Sequence, residues 1–175
     1  MRKEIFRLRQ TLGRVLVAFI ALLAIGKINA SSEPRFVDFD GQPTAIDSFL
    51  SADRWLVVMI WSHTCVICAR EMASQSQMHE RNQSKSISVL GISLDGREGL
   101  FEAWAFAEER EVRFPNLVGE PHAVAEFFKE QTGRQLQGTP TFMIYSPGGI
   151  LTAVQVGPVP PAAIEAFVAR QNKQG

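Results

Sequence analysis

Residues 54–72, RWLVVMIWSHTCVICAREM, constrain the fold of this chain more than any other stretch. Residues 56–61 are an unbroken apolar run rich in β-branched side chains, which is typical of a strand covered on both faces. From Cys65 onward the spacing becomes helical, so that Cys65, Cys68 and Met72 share one helix face. The stretch therefore predicts a buried strand, a short loop and a helix that opens on a Cys-x-x-Cys pair.

The position of the two cysteines suits redox chemistry. The amino end of a helix stabilises an anion through its free amide groups and its dipole, and the thiolate is the reactive form of cysteine. We predict that Cys65 is the nucleophile at that end and that Cys68, one turn inside, is the resolving thiol. Because a disulfide between them closes a very short loop, its entropic stabilisation is small, and a redox role explains the pair better than a structural crosslink.

Charge is distributed unevenly along the 175 residues. Residues 1–30 carry six basic residues and one acidic residue, whereas the remainder carries 12 basic and 17 acidic residues. Because residues 31–175 are acidic overall, they offer no electrostatic basis for binding nucleic acid, and we expect no nucleic-acid partner.

The basic start is followed by an apolar run at residues 15–25 and then by small residues, which is the layout of an export signal. We predict that residues 1–30 are a signal peptide cleaved after Ala30, or an uncleaved membrane anchor. The run is shorter than the roughly 20 residues of a full span. An amphipathic helix of a cytosolic protein is a third interpretation, which fits less well because the run is apolar all round. Export would place residues 31–175 in the periplasm, soluble or tethered to the inner membrane.

Beyond the cysteine helix, strand and helix patterns alternate. Strands are predicted at residues 87–94, 114–118, 141–145 and 150–156, and helices at residues 98–110, 123–131 and 162–170. Residues 79–86 are polar and predict a loop, and the helical spacing of Trp104, Phe127 and Phe128 predicts that they lie in the core. This order predicts a single α/β domain built on a mixed sheet.

Four segments carry a resemblance to a known family: FVDFDGQPTAIDSFLSADRWLVVMIW, CVICAREM, VLGISLD and GTPTFMIYSPGGIL, the last followed by VGPV. On these motifs the chain resembles the thioredoxin-fold thiol–disulfide oxidoreductases of the exported TlpA/ResA/CcmG (redoxin) type, over about residues 36–168. The resemblance implies a thioredoxin-like fold, with a central mixed sheet flanked by helices on both faces and an amino-terminal signal or anchor helix before it. Thr64 and Ala73 depart from the family pattern, which often has Trp and Pro at these positions.

The resemblance also implies roles for three residues near the catalytic pair. Glu71 would exchange protons with the cysteines, and a nearby carboxylate raises the pKa of a thiol; the alternative is a solvated surface glutamate. Pro140 would follow a cis bond after Thr139, although only about 5–6% of such bonds are cis in folded proteins. A cis bond facing Cys65 would leave the Thr139 backbone free to pair with an extended client peptide.

Two further residues flank the pair on its amino-terminal side. Trp61 is predicted to pack under the active-site loop, with a direct substrate contact as the second possibility. His63 is two residues before Cys65 and, if protonated, would lower the pKa of that thiol; the alternative is an exposed loop histidine.

The resemblance implies an enzyme, a protein-disulfide reductase whose redox centre is the Cys65–Cys68 disulfide, with no metal or organic cofactor. Its clients would be exported proteins with disulfides, such as apocytochrome c, and a membrane thiol donor would reduce it again. We expect a reductase because the Glu71 match belongs to the reducing type.

Two alternatives stay open. One is a disulfide oxidase or isomerase of the same fold. The other is a non-enzymatic metallochaperone or binding module that uses the cysteines and a histidine. A zinc site needs four ligands, and the available histidines, His63, His79 and His122, lack the spacing of a zinc finger.

Overall fold

The computed structural model describes residues 34–82 and 86–173. The predicted signal or anchor at residues 1–30 lies outside the described residues and stays a prediction. Within the described part of the chain, no helix combines the length and apolar character needed to cross a membrane.

The described residues form one six-stranded mixed sheet with the spatial order β1-β4-β3-β2-β5-β6. Its strands are β1 (Phe36–Asp38), β2 (Trp55–Trp61), β3 (Ile87–Ser93), β4 (Asn116–Gly119), β5 (Thr141–Tyr145) and β6 (Leu151–Val156). Strands β2, β3 and β4 are parallel to one another, and β1, β5 and β6 each run antiparallel to a neighbour. All seven residues of β2 are buried, because this central strand is covered on both faces.

In the described ranges, four α-helices and one short 3-10 helix cover the sheet: α1 (Val66–Asn82), α2 (Leu100–Glu109), α3 (Pro121–Thr132), α4 (Pro161–Gln171) and the 3-10 helix Ile46–Phe49. Buried side chains of α1, α2 and α4 share one apolar cluster with one face of the sheet, and those of α3 and the 3-10 helix share a second cluster with the other face. This confirms the predicted mixed sheet with helices on both faces.

Helix boundaries follow local chemistry. Pro121 and Pro161 occupy the first turns of α3 and α4, where the missing N–H is not needed. Gly133 ends α3 in the left-handed conformation, with φ 70°, which glycine adopts without a steric cost.

Two predictions about the helices are wrong. Helix α1 continues through His79 to Asn82, although residues 79–86 were expected to form a loop. His79 is buried there because its Nδ1 accepts the Val89 N–H at 3.0 Å, which satisfies a polar side chain inside the domain. Trp104 is 40% exposed, because Ala103, Phe106 and Ala107 form the buried face of α2 and Trp104 lies on the flank of that face.

The sheet brings several chain segments together at one edge, here called the carboxyl edge, where β2, β3 and β4 end. Strand β5 begins there, since Thr141 pairs with Ile60, and β6 ends there, since Val156 pairs with Thr141. The loops that precede α1, α2, α3 and α4 all leave from this edge. The cysteine pair lies in this crowded region.

Candidate active site

Cys65 and Cys68 form a disulfide at the start of α1, with their Cα atoms 5.2 Å apart. Cys65 immediately precedes the helix and is half-buried, whereas Cys68 is fully buried. The Cys68 N–H donates to Cys65 Sγ at 3.0 Å, so the sulfur occupies the place that a capping oxygen takes at other helix starts. Cys65 is therefore partly exposed with its sulfur held by a helix amide, and Cys68 is buried behind it.

Asp95 anchors the loop that leads into Cys65. Its carboxylate, only 5% exposed, accepts the Ser62 hydroxyl at 2.5 Å, the Ser93 hydroxyl at 2.6 Å and the His63 N–H at 2.9 Å. The His63 imidazole also lies against it, with Nδ1 3.0 Å from Asp95 Oδ1. Asp95 is a site residue that the sequence analysis did not identify. Its place directly after a buried strand, beside the end of β2, is the signal that could have found it.

Trp61 ends β2 and lies beneath this loop. It is fully buried, it stacks on Phe106 with ring centroids 5.2 Å apart, and its Nε1–H donates to Asn116 Oδ1 at 3.0 Å. The packing role expected for Trp61 agrees with this placement. Direct contact between Trp61 and a substrate does not agree with it, because no part of the side chain reaches solvent.

Glu71 lies one turn after Cys68 and is half-buried. Its Oε2 accepts the Val159 N–H at 3.2 Å and lies 3.4 Å from Gln75 Nε2, which also donates to the Val159 carbonyl at 2.8 Å. The two side chains thus hold both backbone polar groups of Val159, in the loop before α4. This excludes the fully solvated alternative for Glu71, and Gln75 is a contact that sequence reasoning missed.

The Thr139–Pro140 peptide bond is cis, as the resemblance implies. Pro140 is buried directly before β5, and its carbonyl accepts the Gly157 N–H at 2.8 Å. Because Thr141 pairs with Ile60, this bond lies at the same sheet edge as the loop that leads to Cys65. Among the described residues, nothing donates to or accepts from the main chain of Thr139, which leaves it available for an extended peptide.

The described part of the chain contains no candidate metal site. No group of three or more His, Cys, Asp or Glu side chains is placed there to hold a metal ion. His63 contacts Asp95 in the loop before Cys65, His79 is buried within α1, and His122 lies in the first turn of α3, so the three histidines occupy three separate places.

The fold and site define a thioredoxin-like protein with a redox-active cysteine pair, and comparison with known proteins agrees. The chain resembles a thiol:disulfide interchange protein from Chlorobium tepidum, with 21% identity, a TM-score of 0.64 and coverage of 77% of this chain and 89% of that one. It also resembles a thioredoxin-related protein from Neisseria meningitidis, with 19% identity, a TM-score of 0.66 and coverage of 79% and 98%. A secreted disulfide oxidoreductase from Mycobacterium tuberculosis matches with 20% identity, a TM-score of 0.60 and coverage of 77% and 92%.

A family assignment follows from the sequence itself. The model of the AhpC/TSA family matches residues 28–154, so the chain belongs to that family. This agrees with the predicted redoxin of the TlpA/ResA/CcmG type, and proteins of this class act through a cysteine pair without a cofactor. The chain therefore has a thiol–disulfide oxidoreductase fold that carries the Cys65–Cys68 pair.

Proposed function

We propose that this protein is an exported reductase of disulfides in client proteins. The single observation that carries the proposal is the asymmetry of the cysteine pair, in which Cys65 is partly exposed and its sulfur receives a helix amide at 3.0 Å, while Cys68 is fully buried. A thiolate at Cys65 is stabilised by that amide and by the helix dipole, and it is the sulfur that a client can reach.

Reduction proceeds in two exchanges. The Cys65 thiolate attacks one sulfur of the client disulfide, forms a mixed disulfide and releases the other client sulfur as a thiolate. The Cys68 thiolate then attacks Cys65 Sγ, so that the Cys65–Cys68 bond forms and the second client thiolate leaves. Two electrons pass to the client, and the protons of the two enzyme thiols balance the two thiols formed on it.

The surroundings give the remaining residues their proposed roles. The cis Thr139–Pro140 bond presents a main chain that can pair with the client backbone beside its cysteine. Glu71, between Cys68 and Val159, would exchange the proton of the buried thiol and favour its neutral form, which suits a reductant. His63, oriented by Asp95, would stabilise the Cys65 thiolate when protonated.

Export, the electron donor and the client class belong to the same proposal. Residues 1–30 would direct the chain to the periplasm as a cleaved signal or as an inner-membrane anchor. A membrane thiol donor would regenerate the reduced pair, and apocytochrome c is one client that the family resemblance suggests. The mass of the mature amino terminus, measured after cell fractionation, tests export and cleavage after Ala30.

Trapping of the mixed disulfide tests the chemistry directly. In the exporting cell, a full-length Cys68→Ser variant should accumulate covalent adducts that run as larger bands without reductant and disappear with it. A Cys65→Ser variant is the matched control and should trap nothing. Adducts absent from Cys68→Ser, or equally abundant in Cys65→Ser, would contradict the proposed order of attack.

The direction of electron flow requires a separate measurement. Equilibration of the cysteine pair against glutathione buffers should give a potential below the glutathione couple if the protein is a reductant. A potential well above that couple would identify an oxidase or isomerase. The Glu71→Gln variant should raise the potential, because removal of the carboxylate makes the thiolates easier to form.

A further inference from the structure

Large apolar side chains that face solvent are concentrated at the starts of two helices, one of which opens on the cysteine pair. In the described part of the chain they are Val66, Ile67, Phe101, Trp104 and Ile150, exposed by 40–69%. Val66 and Ile67 lie in the first turn of α1, and Phe101 and Trp104 lie in the first turns of α2. Only Ile150 lies elsewhere, in the hairpin between β5 and β6 at the opposite end of the sheet.

The starts of α1 and α2 are neighbours. The two helices follow the adjacent strands β2 and β3, begin at the carboxyl edge and pack into the same apolar cluster. The start of α2 is also tied to the site, since a Cβ at Gly99 would lie 2.6 Å from the Asp95 carbonyl oxygen, and Asp95 binds the loop before Cys65. Neighbouring helices are about 10 Å apart, which an extended peptide crosses in three or four residues.

Packing inside the domain does not account for the aromatic pair on α2. The rings of Phe101 and Trp104 contact each other, with centroids 5.6 Å apart, and Phe101 is 67% exposed. The buried residues Ala103, Phe106 and Ala107 form another face of the helix, which Phe101 lies opposite and Trp104 flanks. Burying one such ring contributes about 1.5–3 kcal/mol, and contiguous exposed apolar side chains rimmed by polar residues are the kind of surface at which proteins bind other molecules.

The charges around this pair define the partner further. Glu98, Glu102 and Glu108 are exposed on α2 or just before it, and no Lys or Arg occurs at positions 98–109. Arg97, exposed directly before Glu98, is the basic residue at the start of this segment, and the carboxylates outnumber it. The next basic residue, Arg110, is engaged elsewhere, since its guanidinium lies 3.8 Å from the centroid of the Phe106 ring and donates to Glu109. An apolar pair among carboxylates fits a partner that offers an aromatic or aliphatic side chain next to a Lys or Arg.

We propose that Phe101 and Trp104, together with Glu98, Glu102 and Glu108, form an accessory client site that binds an extended polypeptide segment with adjacent apolar and basic side chains, a few residues from the client disulfide. This inference rests on the proposed function, because the segment reaches α2 only while the client cysteine is at Cys65. The site would select among clients, whereas Cys65 and Cys68 perform the chemistry.

The test measures rates of disulfide reduction by the reduced full-length protein, by acid quench and chromatography. Three substrates are compared: a disulfide peptide with Phe-Lys about four residues from each cysteine, a matched peptide with Ser-Glu at those places, and oxidised glutathione. The variant carries Phe101→Ser and Trp104→Ser, and Ile150→Ser is the control for loss of an exposed apolar side chain. We expect the double variant to reduce the Phe-Lys peptide about tenfold more slowly than the wild type, which corresponds to ~1.4 kcal/mol. Its rates with the other two substrates should equal those of the wild type.

Three results would overturn the accessory site: an unchanged rate with the Phe-Lys peptide, an equal loss with oxidised glutathione, or the same selective loss in Ile150→Ser. Sedimentation of the wild type as a dimer that the double variant abolishes would show that a second copy of this chain covers the pair, and it would also overturn the proposal. Failure of the wild type with all three disulfides would refute the proposed reductase itself, so the two failures are distinguishable.

Discussion

Replacement of Asp95 by alanine should weaken the loop that presents Cys65. The carboxylate accepts two hydroxyl groups and one backbone N–H within 2.9 Å, and it is 5% exposed. A hydrogen bond to a charged group typically contributes about 1.5–3 kcal/mol, and such contributions are not additive when they share an acceptor. The serine hydroxyls can turn elsewhere, but the His63 N–H is left without its acceptor. We therefore expect the free energy of unfolding to fall by about 3 kcal/mol.

Urea unfolding of the oxidised protein, followed by circular dichroism, measures this loss. With a slope of about 1–3 kcal/mol per molar urea, the midpoint should fall by roughly 1–3 M. Asp40→Ala is the matched control, because Asp40 is exposed and its side chain has no hydrogen-bond partner among the described residues. It should change stability by less than about 0.5 kcal/mol. A loss in Asp95→Ala no larger than that of the control would refute the anchoring role.

Two further predictions concern packing and pH. Gly91→Ala should lower the free energy of unfolding in urea by about 2–4 kcal/mol. A Cβ there would meet Asn116 Oδ1 at 1.8 Å and break the hydrogen bond that this oxygen accepts from Trp61. A change under about 0.5 kcal/mol would contradict this. The Arg81 guanidinium donates to Glu165 at 2.9 Å and lowers the pKa of that carboxyl below its ordinary value of 4.5. The pair therefore stabilises the fold above pH 4.5, and this stabilisation is lost as the pH falls through the folded-state pKa. Glu165→Gln should therefore be less stable by under ~1 kcal/mol at about pH 7 and equal to the wild type at about pH 2, and a difference that persists in acid would contradict the assignment.

The sequence was sufficient wherever a local pattern decides the structure. The apolar run of β2, the helix that opens on Cys65 and the strand Thr141–Tyr145 are all where periodicity predicts them. The cis bond before Pro140 came from family resemblance alone, since the base rate for proline favours trans.

Features that depend on long-range contacts were not predictable from local patterns. The His79 ring is buried because its Nδ1 accepts a hydrogen bond from a β3 amide, and the residues around His79 in the sequence do not indicate that partner. Asp95 holds the cysteine loop across 32 positions of sequence, and Gln75 holds Val159 across 84. Trp104 has the spacing of a core residue, yet the side of α2 that packs is set by Ala103 and Phe106. These contacts become visible only when the sheet has brought the segments to one edge.

The relative reactivity of the two thiols tests the central claim most directly. The protein is fully reduced, exposed briefly to iodoacetamide at neutral pH, and digested so that mass spectrometry measures modification of Cys65 and Cys68 separately. An accessible sulfur at a helix start should react at least tenfold faster than one that is fully buried, so modification should accumulate on Cys65 first. Equal modification of both cysteines, or faster modification of Cys68, would contradict the assignment of Cys65 as the attacking thiol.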